Sequence, residues 1–137
     1  MQRFLSGLIC CFAVVSSGLV FADTQDQAET ATVDKDGVQH LRILGGSYFF
    51  KPSRIIVKKS VPVELSVSVE PGIAPHSIVA KSPEAGIAFD ESLSSTPKII
   101  TFTASTTGEY AFYCKNKLPF LPSHRKKGMH GVIEVVE

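Results

Sequence analysis

Four side chains with donor atoms for a soft metal are spread along this chain. His76 stands in Ala74-Pro75-His76-Ser77-Ile78-Val79, and Cys114 closes Gly108-Glu109-Tyr110-Ala111-Phe112-Tyr113-Cys114. His124 and Met129 share Ser123-His124-Arg125-Lys126-Lys127-Gly128-Met129-His130. Thiolate and thioether suit Cu(I), while imidazole also suits Cu(II). A site placed between those preferences passes one electron with little rearrangement. Each residue has a plainer reading as well. Free cysteine is commonly a buried structural thiol, and methionine commonly fills a core gap. As a nucleophile, Cys114 would need a base and an oxyanion hole, and no further motif supplies them. His130, next to Met129, competes with His124 for the role of second imidazole. Zinc is the alternative metal, although methionine is not among its usual ligands. His40 reads as structural or exposed.

The compartment bears on the thiol. The first 22 residues carry one charge, Arg3, and then an apolar run ending Val20-Phe21-Ala22 before the polar Asp23-Thr24-Gln25. This is the pattern of an export signal cut after Ala22. The run is almost long enough for an uncleaved anchor, but Ser6, Gly7, Ser16, Ser17 and Gly18 dilute it. Cleavage removes Cys10 and Cys11 of the 3 cysteines, and Cys114 remains alone. A lone exported thiol has no internal disulfide partner and is open to oxidation, so something is expected to occupy it. The implied location is across the inner membrane, in the periplasm.

Such donors need rigid elements to position them. Residues 23–36 are polar and without periodicity, which reads as a flexible leader. From Gly37 the texture changes to short β-rich runs separated by Gly, Pro and Ser. These runs cover residues 38–44, 54–58, 63–69, 76–80, 98–103, 109–114 and 132–136. Within 63–69, Val63, Leu65, Val67 and Val69 alternate with Glu64, Ser66 and Ser68, the period of a half-buried strand. Residues 83–93 have room for at most a short helix. About seven or eight strands in residues 37–137 predict an all-β sandwich. Tyr110, Phe112 and Cys114 fall on one face of their strand, with Cys114 at its core-side end.

The combination of motifs resembles the cupredoxins of the plastocyanin and pseudoazurin kind. Plastocyanins carry a Pro-His pair entering a strand, then G-x-Y-x-F-Y-C, then His and Met, then G-x-V. Here these are Pro75-His76, Gly108 to Cys114, His124 with Met129, and the stretch from Gly131. Tyr48-Phe49-Phe50-Lys51-Pro52 and Ile56-Val57-Lys58 also fit the family's opening. The resemblance implies a Greek-key β-sandwich and one copper ion, alternating between Cu(I) and Cu(II). Cys114 would be the thiolate, His76 and His124 the imidazoles and Met129 the axial thioether, with Ser77 and the backbone near Asn116 around them. It implies a one-electron carrier; copper storage, tolerance or delivery is the alternative. Four protein ligands leave no open position for a substrate, so no enzymatic activity is expected.

One departure from the family concerns the segment between Cys114 and His124. Plastocyanin-like carriers place two to a few residues there, and this chain places nine, 115–123. Loop closure entropy grows slowly with length and Pro119 and Pro122 stiffen the segment, so the insertion is compatible with the ligand set; its expected uses are to shield the copper or to bind a partner. The same region concentrates Lys115, Lys117, Arg125, Lys126 and Lys127, with no acid between Glu109 and Glu134. Such a surface suits an acidic redox or copper-trafficking protein, with Leu118, Phe120 and Leu121 at its apolar centre. Lys+Arg 14 against Asp+Glu 13 argues against a generally basic nucleic-acid binder, and a monomer is the expected state.

Overall fold

The computed structural model describes residues 28–137. The apolar segment 1–22 and the first part of the polar leader lie outside the described residues. Among those described, the chain forms eleven strands: β1 (Glu29–Thr30), β2 (Thr32–Val33), β3 (Gln39–Gly45), β4 (Phe50–Lys51), β5 (Arg54–Lys58), β6 (Pro62–Val69), β7 (His76–Ser82), β8 (Ile87–Leu93), β9 (Lys98–Thr103), β10 (Gly108–Tyr113) and β11 (His130–Val136). No helix among them is long and apolar enough to cross a membrane.

The strands make two sheets, one ordered β1-β5-β11-β10-β7-β8 and the other β2-β3-β6-β9, with β4 paired to β3. Both are mixed: β3 runs parallel to β6 and β5 parallel to β11. The alternating pattern is what makes the sandwich. Val63, Leu65, Val67 and Val69 of β6 are buried. They join one core with Leu41 and Ile43 of β3, Ile55 and Val57 of β5, Phe112 of β10, and Ile133 and Val135 of β11. A fully buried aliphatic side chain contributes about 1.5–3 kcal/mol, so this shared interior holds the sheets face to face.

The strand count exceeds the seven or eight read from the sequence for two reasons. Three of the additional strands, β1, β2 and β4, are two residues long, too short to leave a periodic signal. The fourth, β8, occupies the stretch read as room for a helix. Only a single 3-10 turn, Pro83–Ala85, precedes it. Buried Ile87 and half-buried Phe89, Glu91 and Leu93 then alternate with exposed Ala88, Asp90 and Ser92, which is a strand's period.

The leader also differs over its described part. β1 adds in parallel to β5 and β2 antiparallel to β3, so the segment steps from the edge of one sheet to the edge of the other. Ala31, between them, is buried in the core, and its N–H donates to the Ile56 carbonyl at 2.8 Å. A polar segment reads as flexible because it lacks apolar residues, yet an edge strand needs only backbone pairing and one small residue turned inward.

The end of the sandwich where β3 begins is tied by Gln39, which is fully buried. Its Nε2 donates to the carbonyls of Lys58 and Val61, each at 3.1 Å, and its Oε1 accepts from the Lys58 N–H at 2.7 Å. All three bonds reach the turn between β5 and β6, linking the two sheets. Gln39→Leu leaves those backbone groups unpaired and is expected to cost roughly 1–3 kcal/mol. Chemical denaturation of the metal-free protein measures this, with the mid-strand registers of β7, β10 and β11 unchanged in amide exchange.

Candidate metal centre

Three adjacent strands bring the donors to one end of the sandwich. In β10, Phe112 and Tyr113 lie opposite Ala80 and Val79 of β7, and opposite Gly131 and His130 of β11. One residue further, Cys114 therefore emerges between the start of β7, which is His76, and Met129, which precedes β11. The backbone confirms that placement: the Cys114 N–H donates to the Met129 carbonyl at 3.0 Å. Gly131 is required opposite Phe112, since a Cβ there would stand 2.3 Å from the Phe112 ring and 2.3 Å from the Ser53 carbonyl oxygen. Phe50 packs edge-to-face on Phe112, with ring centres 5.4 Å apart.

His124 and Met129 are set by a compact turn. The His124 carbonyl accepts from the N–H groups of both Lys127, at 3.1 Å, and Met129, at 3.0 Å. Ser123 accepts through its hydroxyl from the Lys126 N–H at 3.3 Å, a side-chain cap of this turn. Gly128, at φ 111°, takes the backbone conformation that lets the chain reverse into Met129. The turn is tied back to the cysteine side by the His124 N–H, which donates to the Asn116 carbonyl at 2.9 Å. The spacing of His124 and Met129 is thus the span of one hydrogen-bonded turn.

The result is a buried donor cluster. One ligand atom from each of His76, Cys114 and His124 lies within 4.8 Å of the others. Cys114 Sγ is 3.6 Å from His124 Nδ1. Two donors on one ion at tetrahedral or trigonal angles stand about 3.3–3.8 Å apart, so this pair already has a metal's spacing. His76 Nδ1 and His124 Nε2 are buried with no hydrogen-bond partner. The unbonded Nδ1 of His76 beside a thiol fits a nitrogen kept free for coordination. Around the sulfur, the Ser77 N–H donates to Sγ at 3.4 Å and the Ser77 hydroxyl lies 3.7 Å from it. That hydroxyl accepts from the Lys115 N–H at 3.1 Å, and Asn116 Oδ1 is 3.5 Å from Sγ. Partners of this kind fix a ligand's orientation and tune its basicity.

No protein-family model matches the chain, and no curated protein matches it. Solved structures do. The metal-binding domain of the Cu(I)-exporting P-type ATPase of Streptococcus pneumoniae D39, solved with Cu(I), is 22% identical; the match covers 82% of this chain and 98% of that one, with a TM-score of 0.62. A copper-binding protein solved in its apo form is 23% identical over 81% of this chain and 99% of its own, at 0.60. Reduced auracyanin from Roseiflexus castenholzii is 18% identical over 78% and 99%, at 0.50. The chain has a cupredoxin-like fold.

Within this cupredoxin-like frame the structure brings together His76, Cys114 and His124 as the sequence places them. Met129 is fully buried at the same end, next to Cys114 through the backbone bond above. His130 is exposed on β11 and stands outside the donor cluster. The sequence reading gave Tyr48 no role. Its ring lies edge-to-face on His124, with centres 5.0 Å apart, and Lys127 Nζ sits 4.2 Å above it. Tyr48 has φ 69°, an unusual conformation for a bulky residue, and its N–H donates to the Gly46 carbonyl at 2.7 Å. Gly45-Gly46 just before it is the local sequence signal of a turn there.

The electrostatics favour neutral imidazoles at the centre. Burial pushes the His76 pKa below the ordinary 6.5, with the neighbouring His124 adding to the effect. Burial likewise lowers His124, with Lys127 contributing. His40, far along β3 from the cluster, goes the other way: its bond to Asp36, at 2.8 Å, raises it. Where a folded-state histidine has a lowered pKa, the unfolded chain binds the proton first, so stability is lost as pH falls through 6.5. Ring-proton NMR of the metal-free protein is expected to show His76 and His124 titrating below 6.5 and His40 above it. A His76 or His124 midpoint above 6.5 would contradict the burial argument.

Proposed function

We propose that this chain is an exported copper protein in which Cys114, His76 and His124 would hold one copper ion, with the Met129 thioether as a weak fourth donor. The observation that carries the reading is the cluster itself: a thiol and two imidazoles within 4.8 Å, with a buried imidazole nitrogen that bonds to nothing. Two structural neighbours are copper-binding by their own description, which supports the choice of metal over zinc. Copper at such a site would supply a Cu(I)/Cu(II) couple. The chain's contribution is to keep Cys114 oriented through Ser77, keep both imidazoles neutral, and hold the donors on a frame that does not reorganise. One-electron carriage across the periplasm is the reading this rigidity favours. Copper storage, tolerance or delivery is the second reading, supported by the inserted segment 115–123.

The same reading includes docking of an acidic protein partner at the basic segment. Lys115 is paired with Asp90, Arg125 stacks over Tyr113 at 4.1 Å and Lys127 over Tyr48. Lys117 and Lys126 are exposed and, among the described residues, have no such engagement. Phe120 and Leu121 are exposed between them, supplying apolar contact area.

Aerobic Cu(II) titration with optical and electron-spin spectra tests the site. The wild-type protein is expected to develop a thiolate-to-copper charge-transfer band. Cys114→Ser abolishes that band, and Met129→Leu keeps it while raising the reduction potential. A serine variant that retains the colour would remove Cys114 from the ligand set. Fast self-exchange with reversible voltammetry then identifies a carrier, and slow exchange with Cu(I) transfer to a chelator identifies a delivery protein.

A further inference from the structure

The leader is fastened to the sandwich at the end away from the donor cluster. β2 and β3 form an antiparallel hairpin, with Thr32 opposite His40 and Val33 opposite Gln39. Its turn is closed by the Asp34 N–H to the Val38 carbonyl at 3.0 Å and the Gly37 N–H to the Asp34 carbonyl at 2.9 Å. In the parallel pairing of β3 with β6, His40 stands beside Glu64. One imidazole thus sits where the hairpin's turn meets the sheet. The other end of β3 is Gly45, where a Cβ would lie 3.2 Å from the Met129 side chain, so the donor cluster is at the opposite end of the strand.

Three carboxylates face the His40 ring: Nε2 is 2.8 Å from Asp36 Oδ2 and 4.0 Å from Asp34 Oδ2, and Nδ1 is 3.4 Å from Glu64 Oε1. Asp36 is itself held, because its other oxygen accepts from the Val38 N–H at 2.9 Å. A neutral imidazole has one N–H, whereas the imidazolium has two. Only the charged ring presents an N–H to the turn and to β6 at once. Without its proton, the carboxylates gather around a ring that cancels none of their charge. The other charged groups on this side are Arg42 of β3 and Glu29 of β1, which line the same concavity as His40, and Lys35, exposed in the turn. Among all of these the imidazole is the type of group that changes charge near neutral pH.

We propose that His40 is a pH-operated clasp: doubly protonated, it ties the β2–β3 turn to β6 and holds the leader across the two sheet edges, and on losing its proton it lets the leader loosen. The held segment has little else to secure it. β1 and β2 are two residues each, and Ala31 is the buried side chain between them. Elements with so few buried contacts are among the first to open locally. Release of the segment leaves the β5 edge unpaired. The direction follows from the surroundings, since the bond to Asp36, helped by the charges of Glu64 and Asp34, holds the His40 pKa above 6.5. The clasp is fully closed below 6.5 and is lost as pH rises through the folded-state value. Its sign is opposite to that of His76 and His124.

Amide exchange on the whole protein, followed on both sides of pH 6.5 and corrected for the intrinsic pH dependence of exchange, tests this. The Ala31 N–H, bonded to the Ile56 carbonyl at 2.8 Å, is the reporter, and the β6 amides are the reference. Protection at Ala31 is expected to fall about two- to fivefold as His40 loses its proton, the scale of an exposed ion pair, while β6 is unchanged. His40→Gln is expected to show the low protection at every pH. Asp36→Asn, which keeps an oxygen for the Val38 N–H, is expected to behave the same way, and Glu64→Gln to shrink the pH effect. Protection at Ala31 that ignores the His40 titration, or a pH dependence that persists in His40→Gln, overturns the clasp.

Discussion

The structure depends on keeping one nitrogen of each of two imidazoles buried beside a thiol without giving either a hydrogen-bond partner. A buried polar atom left unbonded costs roughly 1–3 kcal/mol, and two imidazole nitrogens here are in that position. Burial also drives both rings to the neutral form, the one with a lone pair to offer. A flexible site would relieve the cost by turning the rings to solvent or to each other. The ends of β7, β10 and β11 prevent this, because the Ser77 N–H donates to the Cys114 sulfur, the Cys114 N–H donates to the Met129 carbonyl, and Phe112 is fully buried in the core beside them. The core thus stabilises an arrangement that its polar members, taken alone, would leave.

Much of this was legible in the residues. The alternation in β6 and the apolar faces of β3, β5 and β11 follow from a period of two, and they gave the sandwich. His76, Cys114 and His124 stood out because three metal-binding side chains were set in recognisable motifs among strand-like runs. What escaped the sequence has physical reasons. β1 and β2 are held by edge pairing, which depends on backbone groups and leaves little trace in side-chain pattern. β8 was obscured by Asp90, Glu91 and Ser92, polar residues that an exposed edge accepts. Tyr48 packs on His124 from a turn whose shape depends on a positive φ, and no short-range pattern announces a contact across 76 residues of chain.

The long segment between Cys114 and His124 shows how a ligand is held when its loop is not short. Growth from two residues to nine is about two doublings, which adds only about 1.3 kcal/mol of closure entropy. The segment recovers part of that internally, through the Leu121 N–H to Leu118 carbonyl bond at 3.2 Å and the stiffening of Pro119 and Pro122. Phe120, at its tip, lies fully in solvent, so the insertion does not rest on its own apolar packing. His124 takes its position instead from the turn that follows, through its carbonyl to Lys127 and Met129 and its N–H to Asn116. With Lys115, Asn116 and Ser123 holding the two ends, residues 117–122 are free to vary in length and surface without moving the ligand. The donor geometry and the exposed face of this segment are therefore separable, and one frame can keep the first constant while the second is shaped for a partner.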